Sequence, residues 1–185
     1  MAGAFIVGGA MIPMGRYRTS SYPGLAIPAV LGALKSAGLT TKDVQAVVCG
    51  HSLGGNLVGQ RVVKDLGMGG IPVVNVENAC SGGAAALNLA WKDVSEGRHD
   101  VVLVLGVEKL SQFGGGPIPL VEEDTEVRQG MVMPALYAMR ARRFMYDRNA
   151  SLDDLAAVSV KARRHGSLNA FAQYRAEVTV EQVLA

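Results

Sequence analysis

Aromatic residues are scarce in this chain: one tryptophan, five tyrosines and four phenylalanines make up 5% of 185 residues. A core must therefore be packed from Val, Leu, Ala and close backbone approaches. Cysteine is scarcer still. Cys49 and Cys80 are the only two, which excludes a disulfide framework, and no C-x-x-C or Cys/His grouping at metal-ligand spacing occurs. A reducing, cytoplasmic setting is the expectation, with no metal and no bound cofactor. Charged residues are also sparse, 18% with a formal net charge of +2. That balance argues against disorder and against a nucleic-acid binder, which would need a stronger basic excess. No apolar run approaches the ~20 residues of a bilayer span. The apolar opening, residues 2–14, lacks a leading Lys or Arg and is broken by Gly8, Gly9 and Pro13, so it reads as a first strand and not as a signal peptide.

What the chain has instead is 49% apolar residues and 23 glycines, well above the ordinary share of ~7%. Together these favour a glycine-jointed α/β architecture. Residues 4–10 are read as the first strand. A helix follows from about Pro23, introduced by Ser21 or Tyr22 and stopped by Gly38. Residues 44–50 read as a strand, 58–66 as a helix and 71–76 as the third strand. The near-continuous Ala, Leu and Trp surface of residues 81–96 predicts a helix buried on most sides, with Trp91 in the core. Residues 101–107 are an unbroken β-branched and leucine run, the pattern of a parallel strand covered on both faces. Four strands with crossover helices predict an open, mostly parallel sheet with helices on both faces.

After Ser111 the character changes. Gly114, Gly115, Gly116, Pro117 and Pro119 precede an acidic stretch of Glu122, Glu123, Asp124 and Glu126, and helical patterns follow at about 133–148 and 151–164. Ser151 with Asp154 resembles a capping box, and Thr179 with Gln182 opens another helix barely a turn before Ala185. The organisation expected is an α/β core over residues 1–111 and a loop and helical excursion over 112–185. The short last helix and the lack of a closing strand lead to the further expectation that the chain is cut short at its C-terminal end. Arg140, Arg142, Arg143, Arg148, Lys161, Arg163 and Arg164 crowd this region, as a solvated face or a site for anionic ligands such as phosphates. Met131, Met133, Met139 and Met145 are read as core packing, with the lining of an acyl pocket as the alternative.

The chemistry concentrates at Asn78-Ala-Cys80-Ser-Gly-Gly83, which joins the third strand to the buried helix. A cysteine at a helix N-terminus meets unpaired N–H groups and the positive end of the dipole, which favour the thiolate and lower its pKa below ~8.5. A thiolate is the nucleophile that covalent chemistry on a thioester requires. Cys49, ending a buried strand, reads as packing. His51 is expected to be satisfied by backbone partners, His99 to be solvated in a polar turn, and His165 to end a helix where a cation suits the dipole.

The segment Asn75-Val-Glu-Asn-Ala-Cys80-Ser-Gly-Gly-Ala-Ala-Ala-Leu87, followed by Gly106-Val-Glu-Lys-Leu-Ser111, closely resembles the nucleophile region of thiolases, especially the sterol-carrier-protein branch. The resemblance continues through Pro134-Ala-Leu-Tyr-Ala-Met-Arg140 and Lys161-Ala-Arg-Arg-His-Gly-Ser-Leu-Asn169. It implies the amino-terminal half of a thiolase-like fold and acyl transfer on acyl-CoA thioesters. Cys80 would form an acyl-enzyme, with CoA as substrate. It also implies that the acid/base histidine of a Gly-His-Pro motif and a second cysteine belong to a later half, and that a homodimer forms through the third strand, Val73 to Val76, unless a second subunit supplies the missing half. Glu77 and Ala170 depart from the asparagine and proline common at those places.

Three rivals accompany this reading. A ketoacyl-synthase-like condensing enzyme shares the fold and the cysteine, and a non-catalytic lipid-CoA-binding or scaffold subunit would share the fold alone. A serine hydrolase would use Gly50-His-Ser52-Leu-Gly54, which fits the G-x-S-x-G nucleophile elbow.

Overall fold

The computed structural model describes residues 3–185. The chain divides into two compact units, one comprising the residues up to Ile12 with Tyr17–Lys109, the other Pro13–Arg16 with Leu110–Ala185.

The first unit runs α1 (Tyr22–Ala37), β1 (Ala46–Gly50), α2 (Val58–Asp65), β2 (Val73–Val76), a 3-10 turn at Ala79–Ser81, α3 (Gly82–Ser95) and β3 (Val102–Gly106). The three strands are parallel in the order β2-β1-β3, with Val47 opposite both Val73 and Leu103. Central β1 is buried at all five positions, and its period-2 alternation serves both faces. Val47 and Cys49 face α1 and α2 in a cluster with Val30, Val58, Val62 and Leu105, while Val48 packs on Ala86 and Ala90 of α3. At ~1.5–3 kcal/mol for each fully buried aliphatic side chain, the first cluster holds most of this unit's apolar stabilisation.

Local signals start and stop α1 as the sequence predicts. Ser21 Oγ accepts from Gly24 N at 3.1 Å, and Gly38 closes the helix at φ 69°. The start of α2 is set from a distance instead. Leu57 precedes it with no side-chain cap, and Asn75 Oδ1, from β2, takes the Gly59 N–H at 2.8 Å. Gly59 permits this approach: a Cβ there would lie 2.8 Å from Val73 Cγ1 and 2.9 Å from Cys49 Cβ.

Residues 4–10 form no strand, contrary to the sequence expectation. Their backbone runs instead against α1, so closely that a Cβ on Gly8 would lie 2.6 Å from the Ala33 carbonyl oxygen, and Phe5, Ile6 and Val7 are left exposed. The small residues that suggested a buried strand serve a helix contact, and among the described residues the sheet has three strands, not four. The expectation for α3 also needs correction. The helix buries only the stripe Gly82, Ala86, Ala90 and Ser95 against the sheet, leaving Leu87, Leu89 and Trp91 about half exposed. One sheet covers one face of a helix, and none of the described residues covers the other.

The second unit holds α4 (Thr125–Arg128), α5 (Met133–Arg148), α6 (Leu152–Ser167) and α7 (Val180–Leu184), after a 3-10 turn at Leu110–Phe113. Its helix starts are local. Ser151 and Asp154 exchange reciprocal bonds at the start of α6, as do Thr179 and Gln182 at α7. The bonds from the Ser151 backbone and hydroxyl hold the Asp154 carboxyl below the usual carboxylate range. Arg163 lies 4.9 Å over the Tyr174 ring, and Met14 N donates to Phe171 O at 2.8 Å. No residue of α5 is buried and Met139 is half exposed, so the methionines do not form the packed core predicted for them. The face of α5 that its periodicity marks as apolar has too few neighbours within its own unit to enclose it.

Candidate active site

In a parallel sheet all strand ends of one kind lie along the same edge, and the loops leaving the carboxyl ends converge there. Here they are 51–54 after β1, 77–81 after β2 and 107–109 after β3. Cys80 sits in the second of them, exposed, within the 3-10 turn that leads into α3. The turn closes through Ser81 N and Ser81 Oγ, which both donate to the Asn78 carbonyl, at 3.0 and 2.8 Å. Because the Ser81 hydroxyl is turned back in this way, α3 has no side-chain cap; its first N–H, that of Gly82, goes to the Ala79 carbonyl. Gly50, at the end of β1, lets this helix start approach. A Cβ there would lie 2.5 Å from the Gly82 carbonyl oxygen.

The other cysteine makes the contrast. Cys49 has no exposed surface, and burial pushes its thiol up to about 11. It is a packing residue.

Two carboxylates that the sequence reading did not place at the site organise it. Glu108 accepts from Tyr22 OH at 2.6 Å, Ser52 N at 2.8 Å, Leu53 N at 2.9 Å and Lys109 N at 3.1 Å. Partial burial pushes its carboxyl up, but these four donors outweigh that and hold it below the usual range. Glu77 Oε1 accepts from Ala79 N at 2.6 Å and from Ser52 Oγ at 3.2 Å. Arg61 of α2 donates to Gly54 O at 2.8 Å, and His51 N donates to Val76 O at 3.1 Å. Loop 51–54 is thus held from α2, β2, the turn before Cys80 and the end of β3. The signal that could have found Glu108 was a carboxylate directly after a buried strand, inside the motif Gly106-Val-Glu-Lys-Leu-Ser111.

The remaining sequence candidates separate. His51 is not satisfied as expected: its backbone is bonded, but Nδ1 is buried without a hydrogen-bond partner. His99 is not free in solvent, since Nδ1 lies 2.6 Å from Asp93 Oδ2 and both side chains are largely covered. This pair borders a cleft with Ala46 and Pro72, at the starts of β1 and β2, the opposite end of the sheet from Ser52. His165 is exposed in the last turn of α6.

The hydrolase motif fails on geometry. A nucleophile elbow is a strained strand-to-helix turn, whereas Ser52 is not among the positive-φ residues and α2 begins six residues later, at Val58. The left-handed residues near the site are Leu57 at φ 59°, five positions past Ser52 at the start of α2, and Ala79 at φ 43°, directly before Cys80.

The architecture is that of a thiolase-like α/β protein. The Ascaris suum thiolase Acat5, solved in complex with coenzyme A, superposes with a TM-score of 0.74 over 99% of this chain and 57% of its own, at 17% identity. The chain belongs to the thiolase family, and residues 4–183 match its description, thiolase, N-terminal domain. The benzoylsuccinyl-CoA thiolase subunit BbsB of Thauera aromatica is 38% identical over 184 residues, 97% of this chain and 48% of that protein. An acetyl-CoA acetyltransferase of Methanothermobacter thermautotrophicus is 34% identical over 188 residues, again 97% of this chain and 49% of the relative. The chain thus spans about half the length of the curated relatives it matches.

Proposed function

We propose that Cys80 is the nucleophile of an acyl transfer on CoA thioesters. The sulfur bonds to the thioester carbonyl carbon, the carbon–sulfur bond to CoA breaks, and CoA leaves as its thiol once protonated. The carrying observation is the contrast between the two cysteines, one exposed at an uncapped helix start where the loops converge, the other sealed in the core. The positive end of the α3 dipole is suited to stabilise the oxyanion that forms on attack. The names of the relatives support the substrate class. The acid/base groups that complete turnover are assigned to the part of the longer relatives that this chain does not span, so acylation without multiple turnover is expected here.

Incubation of the chain with acetyl-CoA, followed by peptide mass spectrometry, tests this. Acetyl on the Cys80 peptide, absent in Cys80→Ala, is expected. Label that persists in Cys80→Ala, or no label on folded protein, would sink the assignment.

β2 is an edge strand with Val74 half exposed, which supports a second copy pairing along Val73–Val76. No described helix is long and apolar enough to cross a membrane. Two free thiols fit a reducing compartment, and we place the protein in the cytoplasm. The arginines of the second unit are proposed to meet the CoA phosphates.

A further inference from the structure

We propose that Glu77 is a positioning residue that holds the nucleophile turn in its strained shape, a role that rests on the reading of Cys80 as the nucleophile. Ala79 stands directly before Cys80 with φ 43°, a region that glycine enters freely and alanine enters only at a cost. Such a conformation persists when its surroundings impose it. The turn closes on itself through the Ser81 and Gly82 N–H groups, and one side-chain oxygen adds a tie to a second loop. Glu77 Oε1 takes the Ala79 N–H at 2.6 Å, the short distance of a charge-assisted bond, and the same oxygen takes the Ser52 hydroxyl at 3.2 Å. Ser52 is in turn fixed through its own N–H by Glu108, which is fixed by Tyr22 of α1. The chain of bonds therefore runs from the helix core, through loop 51–54, to the residue next to the nucleophile. Glu77 itself is exposed, so this work is not explained by packing. The serine of the elbow-like motif also acquires a use: it ties two loops together and attacks nothing.

What the turn needs from Glu77 is an acceptor, not a proton acceptor in the reaction, and the two differ in their consequences. Pseudo-first-order alkylation of the full chain by iodoacetamide reads the accessibility and orientation of Cys80, and Cys49, fully buried, serves in each variant as the internal report of folding. In Glu77→Ala, Cys80 alkylation is expected to slow about tenfold, the scale of losing one hydrogen bond to a charged group. Glu77→Gln keeps a side-chain oxygen and should stay within about threefold of the parent. Glu77→Ala combined with Ala79→Gly should recover to within about twofold of Ala79→Gly alone, because glycine no longer needs to be held at positive φ.

Three results at Cys80 overturn the proposal: an unchanged rate in Glu77→Ala with Cys49 still protected, a slow double variant, or faster alkylation in both Ala and Gln variants, which would mean that the carboxylate acts by charge alone. Cys49 becoming reactive in Glu77→Ala would also overturn it, by making the residue a folding determinant. Acetylation of Cys80 in the parent is measured separately. Its absence would remove the acyl-transfer reading and leave the alkylation result to stand on its own.

Discussion

The two units are built on different terms. In the first, α1 starts on the local Ser21 cap, but α2 and the site loops are held by residues distant in sequence: Asn75 caps α2, Glu108 holds loop 51–54, and Glu77 joins that loop to the turn that carries Cys80. In the second, α6 and α7 begin with capping boxes whose partners are three residues apart, and Ala156 is the only buried residue of its four helices. Local bonds suffice to start a helix, but they cannot position a reactive atom to within a few tenths of an ångström. That requires contacts from several elements at once. The unit that carries Cys80 is the one so constructed.

The sharpest break in this contrast is Gly50→Ala. Its methyl would press on the Gly82 carbonyl at 2.5 Å, where backbone faces backbone and neither side can yield cheaply. A loss of about 3 kcal/mol in urea unfolding is expected, with acetylation of Cys80 falling further than the stability loss alone accounts for. A variant as stable as the parent would show that the β1 to α3 contact is looser than described.

Glu108→Gln tests the clamp through pH. The Glu108 carboxyl titrates below the usual range in the folded state, so its contribution is complete above the ordinary glutamate value of ~4.3 and is lost as pH falls through the lower folded value. The variant should melt about 3 °C below the parent at pH 7, and the gap should close as pH is lowered towards 3. A gap that widens with acid would contradict the clamp.

The smallest effect is expected in the second unit. Ser151→Ala removes one half of a capping box, so amide exchange in the first turn of α6 should accelerate about fivefold. Exchange in β1 should not change. A response in β1 would mean that the local character ascribed to the second unit is wrong.

Much of this was legible beforehand because its causes lie close together in the chain. Ser21 and Gly38 bound α1, Ser151 and Asp154 open α6, and the apolar runs of β1 and β3 mark strands covered by helices. The resemblance to thiolases around Cys80 led to the family. Misreadings arose where composition is the same for two partners. The small residues at 4–10 suit a sheet or a helix contact equally, and the apolar surface of α3 says that it can be covered without saying by what. Glu77 was noticed only as a departure from a family pattern, since its partners lie 2 and 25 positions away.

Aromatic poverty and glycine abundance determined by themselves that this would be an aliphatic α/β core with backbones in close approach. The spacing of cap residues and strand runs determined the order of the elements from α1 to β3. Only the tertiary structure decided that His99 pairs with Asp93, that the His51 Nδ1 is buried, and that one carboxylate oxygen holds both a strained alanine and a serine beside Cys80. The reason is physical. Periodicity and capping act within a few residues, whereas burial and hydrogen bonds between loops depend on which distant segments the sheet brings to the same edge.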